Sequence, residues 1–463
     1  MNATSVPPTG SYHTPLRIVV GISGGIAAYK ACELIRRFRE DGHTVRAVPT
    51  ANALEFIGAA TLEALSSQPV DTSVFSKVDE VQHVHVGQQA DLLVIAPATA
   101  DVIARLVAGR ADDLLSATAL MATCPVLLAP AMHTEMWRHP ATRENVATLR
   151  RRGIIVMEPA HGRLTGADSG PGRLPDPVQI QEFAYGLAAG GSFDYDLVGK
   201  RVVISAGGTR ERIDPVRFIG NDSSGRQGFA LAQVAAQRGA HVELIAAHTA
   251  ELPVPNGVEL IRVSSARELA TAMSQHAPDA DVVIMSAAVA DFRPKAAADV
   301  KLKKESAQSH DALSQLALVE NPDILASLAG KAKLVVGFAA ETGDSQGTAV
   351  DYARKKLKRK GCDVLICNDV SAGKVFGREI NAATVLFASG EEVPIATASK
   401  FSVAAKIWEA LTPLIQVEEE YADEATVPSD DGSNAIGNGG AKAGAEAAKS
   451  ANPNRIPEDV YLW

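Results

Sequence analysis

The chain has 463 residues, of which 46% are apolar and 21% are charged. These values are ordinary for globular proteins, so they exclude a wholly disordered or fibrous chain, and the length predicts two to four domains. The net charge is −9, but residues 418–463 alone hold ten acidic and three basic side chains, so the rest of the chain is nearly neutral. Such a balance argues against a nucleic-acid-binding protein, which would carry a basic surface.

The two ends of the chain have the composition of disordered segments. Residues 1–15 are rich in proline, glycine and serine, and residues 418–463 are acidic and then rich in glycine and alanine, so neither can bury a core. The final residues, EDVYLW, are apolar again and either fray or dock on another subunit. No apolar run approaches the ~20 residues that span a bilayer, and no secretory pattern opens the chain. We expect a cytoplasmic protein that binds no membrane.

Short apolar runs, each followed by a helix-like stretch, recur through the first half of the chain. They predict strands at residues 16–20, 44–48, 92–96, 126–129 and 154–157. Strands that are apolar on both faces and alternate with helices are typical of a buried parallel sheet. The sequence therefore predicts an α/β domain.

The same pattern restarts after a glycine- and alanine-rich stretch near residue 191. A helix is predicted at residues 226–238, and strands at residues 200–205, 242–246, 282–285, 334–338, 364–367 and 383–388. We therefore predict two separate α/β units, over residues 16–190 and 191–417, with disordered segments before and after them.

Small polar loops follow several predicted strands of the first half. Open parallel sheets bind ligands at the carboxyl ends of their strands, and small residues let backbone N–H groups approach a phosphate. The candidate ligand residues are Ser23, Gly24, Gly25, Thr50, Pro97, Ala98 and Thr99. The first loop, GISGG, is not the GxGxxG of dinucleotide-binding proteins, and no acidic residue obviously closes the second strand, which disfavours a nicotinamide cofactor.

Four segments of the first half resemble the flavin-containing cysteine decarboxylases, and phosphopantothenoylcysteine decarboxylase is the most similar member. The segments are the SGG turn, QHVHVGQQADLLVIAPATA, ADDLL and PAMHTEMW. The resemblance covers about residues 16–185 and implies a flavodoxin-like domain that binds FMN through the loops above and Asp101. It also implies that His83 is the catalytic base, that His133 holds the substrate carboxylate, and that a substrate loop contains Asp168, Gly170, Gly172 and Arg173. A histidine suits this role because imidazole titrates near neutrality.

Three positions depart from that family's pattern. Asp101 and His133 each replace an asparagine, and the substrate loop lacks the cysteine that many relatives carry before GPGR. These departures leave open a flavin-binding regulatory protein whose decarboxylase half is inactive. An NAD-dependent two-domain dehydrogenase is a third hypothesis, which a yellow, flavin-containing protein would disfavour.

Two glycine-containing loops open the second half, at residues 206–209 and 223–228. The second loop combines hydroxyls and glycines with the start of a helix, which suits a phosphate group and predicts a nucleotide or dinucleotide. A basic helix follows at residues 352–361. Such a helix is usually a solvated surface, but it could also bind an anion locally.

With SAAVADFRP, KLKK, ENPDIL and VGFAAET in order, these motifs resemble the bacterial phosphopantothenate–cysteine ligases that use CTP. The resemblance covers about residues 195–410 and implies a Rossmann-like domain. It implies that Asn221 acts on an acyl-cytidylate intermediate and that Lys301 meets the triphosphate. The implied CTP contacts are Ser224, Gly225, Asp291, Lys301, Asn321, Pro322, Asp323, Ile324, Phe338, Lys356 and Lys360. We expect Mg²⁺ with the triphosphate, because its charge needs a hard cation.

The order of the two halves resembles the bifunctional enzymes of bacterial coenzyme A biosynthesis. The resemblance implies that the second half joins 4′-phosphopantothenate to L-cysteine with CTP, and that the first half decarboxylates the product with FMN. It also implies a homo-oligomer in which flavin domains form trimers and ligase domains form dimers, so that a dodecamer results.

Overall fold

The computed structural model contains two large sheets. It describes residues 14–73, 82–163, 169–191, 193–302, 316–344, 346–369 and 380–424. One compact unit ends at Val417, and a second begins at Glu418. The predictions for residues 1–13 and for the apolar C-terminus lie outside the described residues.

The first sheet has five parallel strands in the order β2-β1-β3-β4-β5. Its strands are β1 (Arg17–Ile22), β2 (Thr44–Pro49), β3 (Leu92–Ala98), β4 (Val126–Pro130) and β5 (Ile155–Val156). This is the flavodoxin-like order, in which ligands bind where the strand order reverses between β1 and β3. The α/β prediction is therefore confirmed, and the flavodoxin-like order agrees with it.

Eight α-helices and one hairpin of the described residues accompany this sheet. The helices are α1 (Lys30–Glu40), α2 (Ala59–Ser66), α3 (Gln82–Gln89), α4 (Ala100–Val107), α5 (Leu114–Met121), α6 (Thr134–Arg138), α7 (Pro140–Arg151) and α8 (Pro177–Ala188). The antiparallel hairpin consists of β6 (Ala160–Arg163) and β7 (Ser169–Arg173). The sequence pattern explains α1 well, because its apolar residues recur at helical spacing on the buried face and Gly42, with φ +88°, follows its end.

The second sheet has eight strands in the order β12-β11-β8-β13-β16-β17-β18-β19. The pairs β17–β18 and β18–β19 are antiparallel, so β18 runs against the other strands. The strands of this half are β8 (Arg201–Ala206), β9 (Arg210–Arg212), β10 (Phe218–Gly220), β11 (His241–Ala246), β12 (Val258–Arg262), β13 (Val282–Met285), β14 (Phe292–Pro294), β15 (Leu318–Glu320), β16 (Leu334–Glu341), β17 (Val364–Asp369), β18 (Ile380–Phe387) and β19 (Glu392–Ser399). The short pairs β9–β10 and β14–β15 stand outside the large sheet. The second α/β prediction is confirmed as well.

The described residues of this half form five α-helices. They are α9 (Arg226–Gln237), α10 (Ala266–His276), α11 (Ile324–Leu328), α12 (Ala349–Lys360) and α13 (Lys400–Glu424). Among the described residues, none of the helices has the length and apolar character needed to cross a bilayer.

The two halves share one continuous apolar core. Three phenylalanine rings mark the join: Phe183 of α8 lies 4.8 Å from Phe193 and 4.6 Å from Phe401 of α13, measured between ring centroids. All three side chains are buried. Aromatic pairs at this spacing pack favourably, so the two sheets are joined by more than the connecting chain.

Candidate active sites

A cavity of about 930 Å³ lies at the carboxyl ends of β1 to β4. Its volume is at the upper end of the range for small-molecule and cofactor sites. Ten residues that the sequence singled out line it: Ser23, Gly24, Gly25, Thr50, Pro97, Thr99, Asp101, His133, Gly172 and Arg173. Loops from separate parts of the sequence therefore meet at one place.

The Ser23 hydroxyl joins the loops after β1 and β3. It donates a hydrogen bond to the Pro97 carbonyl at 2.8 Å and accepts one from the Thr99 N–H at 3.0 Å. The side chain is 1% exposed. In this arrangement Ser23 shapes the cavity wall, and its donor is already engaged by the protein.

Gly24 brings the first loop against the second. A Cβ at this position would lie 2.6 Å from the Asn52 Cβ and 2.8 Å from the Asn52 carbonyl oxygen, so no larger residue fits without moving the backbone. Thr50 begins the second loop, and its hydroxyl accepts a hydrogen bond from the Ala53 N–H at 3.2 Å. The two loops form one side of the cavity.

The β6–β7 hairpin closes another side of the cavity. The Met132 N–H donates to the Gly172 carbonyl at 2.9 Å. A Cβ at Gly172, where φ is +141°, would lie 2.3 Å from the Met132 carbonyl oxygen, and a Cβ at Gly170 would lie 2.3 Å from the Thr134 hydroxyl. The GPGR segment therefore needs both glycines to pack on the loop that carries His133.

Basic side chains dominate one part of the lining. Lys30, Arg163 and Arg173 all border the cavity. Burial lowers the pKa of the Lys30 ammonium below its ordinary value, and the nearby charge of Arg173 lowers it further. Clustered cations of this kind attract phosphate and carboxylate groups.

A fourth cation, Arg105, is neutralised by neighbouring carboxylates. Its guanidinium lies 2.9 Å from Asp112 and 2.7 Å from Asp113, and 3.9 Å from Asp101 one helical turn away. The ADDLL segment thus supplies counter-charges for Arg105, and Asp113 also caps α5. Asp101 itself is largely exposed at the cavity edge.

Four predicted residues are not among the described lining residues. Gly170 packs on Thr134 instead. Ala98 is fully buried in β3. His83 belongs to α3, whose Gly87 packs so closely on α5 that an added Cβ would lie 2.8 Å from Met121; the His83 side chain lies outside the described part of the chain. Asp168 falls in residues 164–168, which the structure does not describe.

Sequence reasoning missed several lining residues, chiefly Lys30, Asn52, Met132 and Arg163. Lys30 follows the GISGG loop by one helical turn, so its position at the start of α1 was a signal that could have identified it. Arg163 was harder to find, because only the β6–β7 pairing brings it to the cavity.

The second half places its two glycine loops side by side. Gly208 lies so close to Asn221 that an added Cβ would be 2.3 Å from the Asn221 carbonyl oxygen, and the Asn221 amide donates to the Val289 carbonyl at 2.9 Å. Gly225, with φ +74°, precedes α9 and lies against Thr249. Ser224 and Gly225 therefore form the approach to the N-terminus of a twelve-residue helix, which favours an anion.

Lys301 is exposed, and the segment that carries it is held by Asp214. A carboxylate oxygen of Asp214 accepts from the Leu302 N–H at 3.2 Å and lies 3.0 Å from the Arg217 guanidinium. Burial opposes ionisation of Asp214, but hydrogen bonds from three backbone N–H groups and the charge of Arg217 hold its pKa below the ordinary value. Asp214 was not a sequence candidate.

The remaining predicted nucleotide contacts cluster around α11 and α12. The Asn321 side chain donates to the Ala290 carbonyl at 2.8 Å, and the Asn321 N–H donates to the Asp291 carbonyl at 2.8 Å. Pro322 is exposed, Ile324 is buried, and Phe338 packs partly against the core. The structure therefore brings Asp291 and the residues 321–324 together.

Both predicted lysines of α12 are engaged by carboxylates. Lys356 lies 3.0 Å from Glu341, and Lys360 pairs with Asp323, which also caps α11. Burial raises the pKa of Asp323, but the Lys360 partner and the Ala326 N–H outweigh it and keep that pKa below the ordinary value. A nucleotide phosphate at these lysines would have to compete with both carboxylates.

Two protein-family models match the chain. The family described as "Flavoprotein" matches residues 8–189, and the family described as "DNA/pantothenate metabolism flavoprotein C-terminal domain" matches residues 197–414. The two matches together cover nearly all described residues.

Curated relatives span the chain almost end to end. A coenzyme A biosynthesis bifunctional protein CoaBC of Mycolicibacterium smegmatis is 55% identical over 412 residues, which is 87% of this chain and 99% of the relative. The CoaBC protein of Vibrio cholerae is 45% identical over 381 residues, 81% of this chain and 92% of the relative. A crystal structure of the C-terminal domain of a CoaBC protein is 36% identical and covers 48% of this chain and 99% of its own, but its TM-score of 0.40 supports no argument.

Proposed function

The chain belongs to the CoaBC family of bifunctional coenzyme A biosynthesis proteins, and from this premise we propose that residues 191–417 make 4′-phosphopantothenoylcysteine and residues 16–190 decarboxylate it. The enzyme is thus bifunctional, with a ligase half and a flavoprotein decarboxylase half. The observation that carries the proposal is the single cavity in which the SGG, APAT, PAMH and GPGR motifs meet.

The cavity fits FMN as the cofactor of the decarboxylase half. It lies at the reversal of strand order where flavodoxin-like sheets bind their ligand. Gly24 lets the loop after β1 pack closely on Asn52 at the cavity wall, and Lys30 and Arg173 offer positive charge for anionic groups. When bound, FMN supplies a two-electron acceptor and donor that no side chain of the chain can replace.

We propose separate roles in proton transfer and substrate binding for the residues around the cavity. We assign the proton transfer to His83, because an imidazole exchanges protons at neutral pH and its motif precedes the APAT strand. His133 and Arg173 border the cavity from two sides and would hold the substrate carboxylate. The β6–β7 hairpin excludes water on the side where Gly172 packs against Met132.

The ligase half binds CTP and activates a carboxylate. Displacement of pyrophosphate from CTP by the carboxylate of 4′-phosphopantothenate gives an acyl-CMP. The amine of L-cysteine then attacks the acyl carbon, forms the amide and releases CMP. Ser224, Gly225, Lys356 and Lys360 would contact the nucleotide, and Lys301 would stabilise charge on the phosphates. We propose that Mg²⁺ enters with the triphosphate, because the charge of the triphosphate needs a hard cation.

We further propose that the protein is a homo-oligomer, with trimeric flavin domains and dimeric ligase domains that generate a dodecamer. Ile26 and Tyr29, both on the cavity wall, are 64% and 62% exposed, and Phe218 and Phe292 on the short strand pairs are 48% and 46% exposed. Large apolar groups exposed in two separate places favour two kinds of contact between subunits.

Measuring the two half-reactions separately tests the proposed function. Lys301→Gln should reduce CTP-dependent pyrophosphate release by about 100-fold, because it removes a charge that stabilises the transition state, and should leave CO₂ release from added 4′-phosphopantothenoylcysteine intact. His83→Asn should do the reverse.

Equal loss of both activities in both variants would show that the halves are misassigned. A yellow wild-type protein that releases no CO₂ would favour a flavin-binding regulatory protein. A colourless protein that binds NADH tightly would favour a dehydrogenase.

A further inference from the structure

A glutamine of the ligase half completes the edge of the flavin sheet. Gln237 is the last residue of α9, and its side chain reaches β5, the edge strand of the five-stranded sheet. The Gln237 amide nitrogen donates to the Val156 carbonyl at 2.7 Å, and its amide oxygen accepts from the Glu158 N–H at 3.0 Å. One side chain thus makes the two hydrogen bonds that a neighbouring strand would make.

Glu158 is held by two further groups. The Asn256 amide, also in the ligase half, donates to the Glu158 carbonyl at 3.0 Å. Arg150 of α7 lies 2.7 Å from the Glu158 carboxylate, and its guanidinium stacks 4.2 Å from the Tyr195 ring centroid. The main chain at Glu158 therefore has both its donor and its acceptor bound by side chains of the other half.

Glu158 stands at the base of the hairpin that borders the cavity. A single residue, Pro159, separates it from β6, and the hairpin carries Arg163 and Arg173 to the cavity wall. The second strand of the hairpin is fixed at the same open end, where Arg173 pairs with Ala160, by the hydrogen bond between the Met132 N–H and the Gly172 carbonyl. Both anchors thus act on the open end of the hairpin, beside Arg173, and Arg163 follows at the other end of β6.

We propose that Gln237 and Asn256 of the ligase half are positioning residues for the decarboxylase: they fix the main chain at Glu158 and thereby hold Arg163 and Arg173 where they meet the anionic substrate. The inference rests on the proposed function of the cavity. Gln237 is 5% exposed, and its amide nitrogen and oxygen both form hydrogen bonds with the flavin half. A residue that stabilised only the ligase fold would not need these bonds.

A matched pair of substitutions distinguishes a role of Gln237 in positioning Glu158 from a general effect on the stability of the protein. Gln237→Met keeps the length of the side chain and removes both hydrogen bonds. Gln181→Met is the control: Gln181 is 6% exposed and bonds Arg37 and Asp41 inside the flavin half, towards the other end of α1 from the cavity. Both variants lose buried polar contacts, but only Gln237→Met releases Glu158.

Amide hydrogen exchange measures how firmly the main chain at Glu158 is held, and it does not depend on enzyme activity. In the full-length protein, exchange in the peptide that covers residues 155–163 should accelerate by about tenfold in Gln237→Met, because its backbone hydrogen bonds open more often. The wild-type protein and Gln181→Met should exchange alike in this peptide. Asn256→Asp, which keeps the side-chain shape but replaces the donor to Glu158, provides a second variant should Gln237→Met not fold.

Decarboxylation kinetics report the consequence. The KM for 4′-phosphopantothenoylcysteine should rise about three- to tenfold in Gln237→Met while kcat changes less, because a small misplacement of binding groups weakens the hold on substrate. Gln181→Met should keep the wild-type KM. If exchange in the peptide is unchanged, or if it is faster while the KM is unchanged, the inference is wrong but the proposed function still stands. A wild-type protein that releases no CO₂ would overturn the proposed function and this inference with it.

Discussion

Lys30 gives the cavity a cation that loses its charge at a lower pH than an exposed lysine does. Half-buried at the start of α1, it has its pKa lowered first by burial and then by the charge of Arg173. Its ammonium group therefore loses its proton at a lower pH than usual. Any anion that it holds should bind less tightly as the solution becomes alkaline.

Replacement of Lys30 tests this role. In Lys30→Met the KM for 4′-phosphopantothenoylcysteine should rise about tenfold at neutral pH, which corresponds to ~1.4 kcal/mol. In the wild-type protein the KM should rise towards alkaline pH, and Lys30→Arg should remove that rise because a guanidinium stays charged. A Lys30→Met protein with the wild-type KM at neutral pH would show that the lysine does not touch the bound anion.

Asp214 provides a test on the ligase side. Asp214→Asn should reduce ligation by about tenfold, since the backbone of Leu302 loses its charged acceptor and Lys301 loses its fixed position. Asp281→Asn is the matched control, because Asp281 binds the Arg201 N–H at the opposite end of the same sheet. If the ligation rate falls equally in the two variants, Asp214 has no specific role in positioning Lys301.

The pH dependence of stability has a definite sign at Asp214. Its folded-state pKa lies below the ordinary value, so its contribution is complete above the unfolded pKa of about 3.9. That contribution is lost as the pH falls through the lower folded-state pKa. The difference in free energy of unfolding between wild type and Asp214→Asn should therefore shrink in acid, as denaturant titrations would report.

Much of the candidate site could be predicted at the residue scale, and the reason is local. Ser23, Thr50 and Thr99 each follow a strand directly, so a sequence that shows the strand also shows the residue. Arg163 and Asn52 reach the cavity through pairings between distant segments, which no local pattern reveals. The roles of His83 and Asp168 stay predictions.

Among the elements, strands that contain a continuous apolar run were predictable, and strands without one were not. The run at residues 282–285 coincides with β13, and the helix predicted at 226–238 coincides with α9 to within one residue. In contrast, β9 and β15 have three residues each, too few to show a period. The hairpin β6–β7 was hidden because SGPGR has the composition of a loop.

The β6–β7 hairpin depends on close packing of Gly172. Gly172→Ala should lower the free energy of unfolding by on the order of 2–3 kcal/mol, because its φ of +141° is unfavourable for alanine and its Cβ would meet the Met132 carbonyl oxygen. Gly162→Ala is the control for backbone strain: φ is +149°, but the nearest contact is the Arg173 side chain at 3.6 Å. If urea titrations show that both variants lose the same free energy of unfolding, the close approach of Gly172 to the Met132 carbonyl does not contribute to stability.

At the scale of the whole molecule, the two large sheets share one apolar core. Phe183, Phe193 and Phe401 join them, and Gln237 and Asn256 add hydrogen bonds from the ligase half to the flavin half. The sequence predicted two α/β units from the restart of the strand pattern. It could not predict their contact, because each of these residues lies far along the chain from its partner.

Deletion of residues 425–463 tests whether the acidic and glycine-rich tail is needed. Its composition cannot bury a core, so the truncated protein should keep both activities nearly unchanged and should have the same oligomeric state as the full-length protein. Particle mass, measured for both proteins beside the two half-reactions, checks this. Loss of assembly in the truncated protein would mean that EDVYLW docks on a neighbouring subunit.

The most direct measurement supplies the wild-type protein with FMN, Mg²⁺, CTP, 4′-phosphopantothenate and carboxyl-labelled L-cysteine in one vessel. The label should leave as CO₂, and only when CTP is present, since the amide must form before the carboxyl group is lost. Labelled CO₂ in the absence of CTP, or none from a protein that holds its flavin and consumes CTP, would contradict the assignment of two consecutive reactions to the two halves.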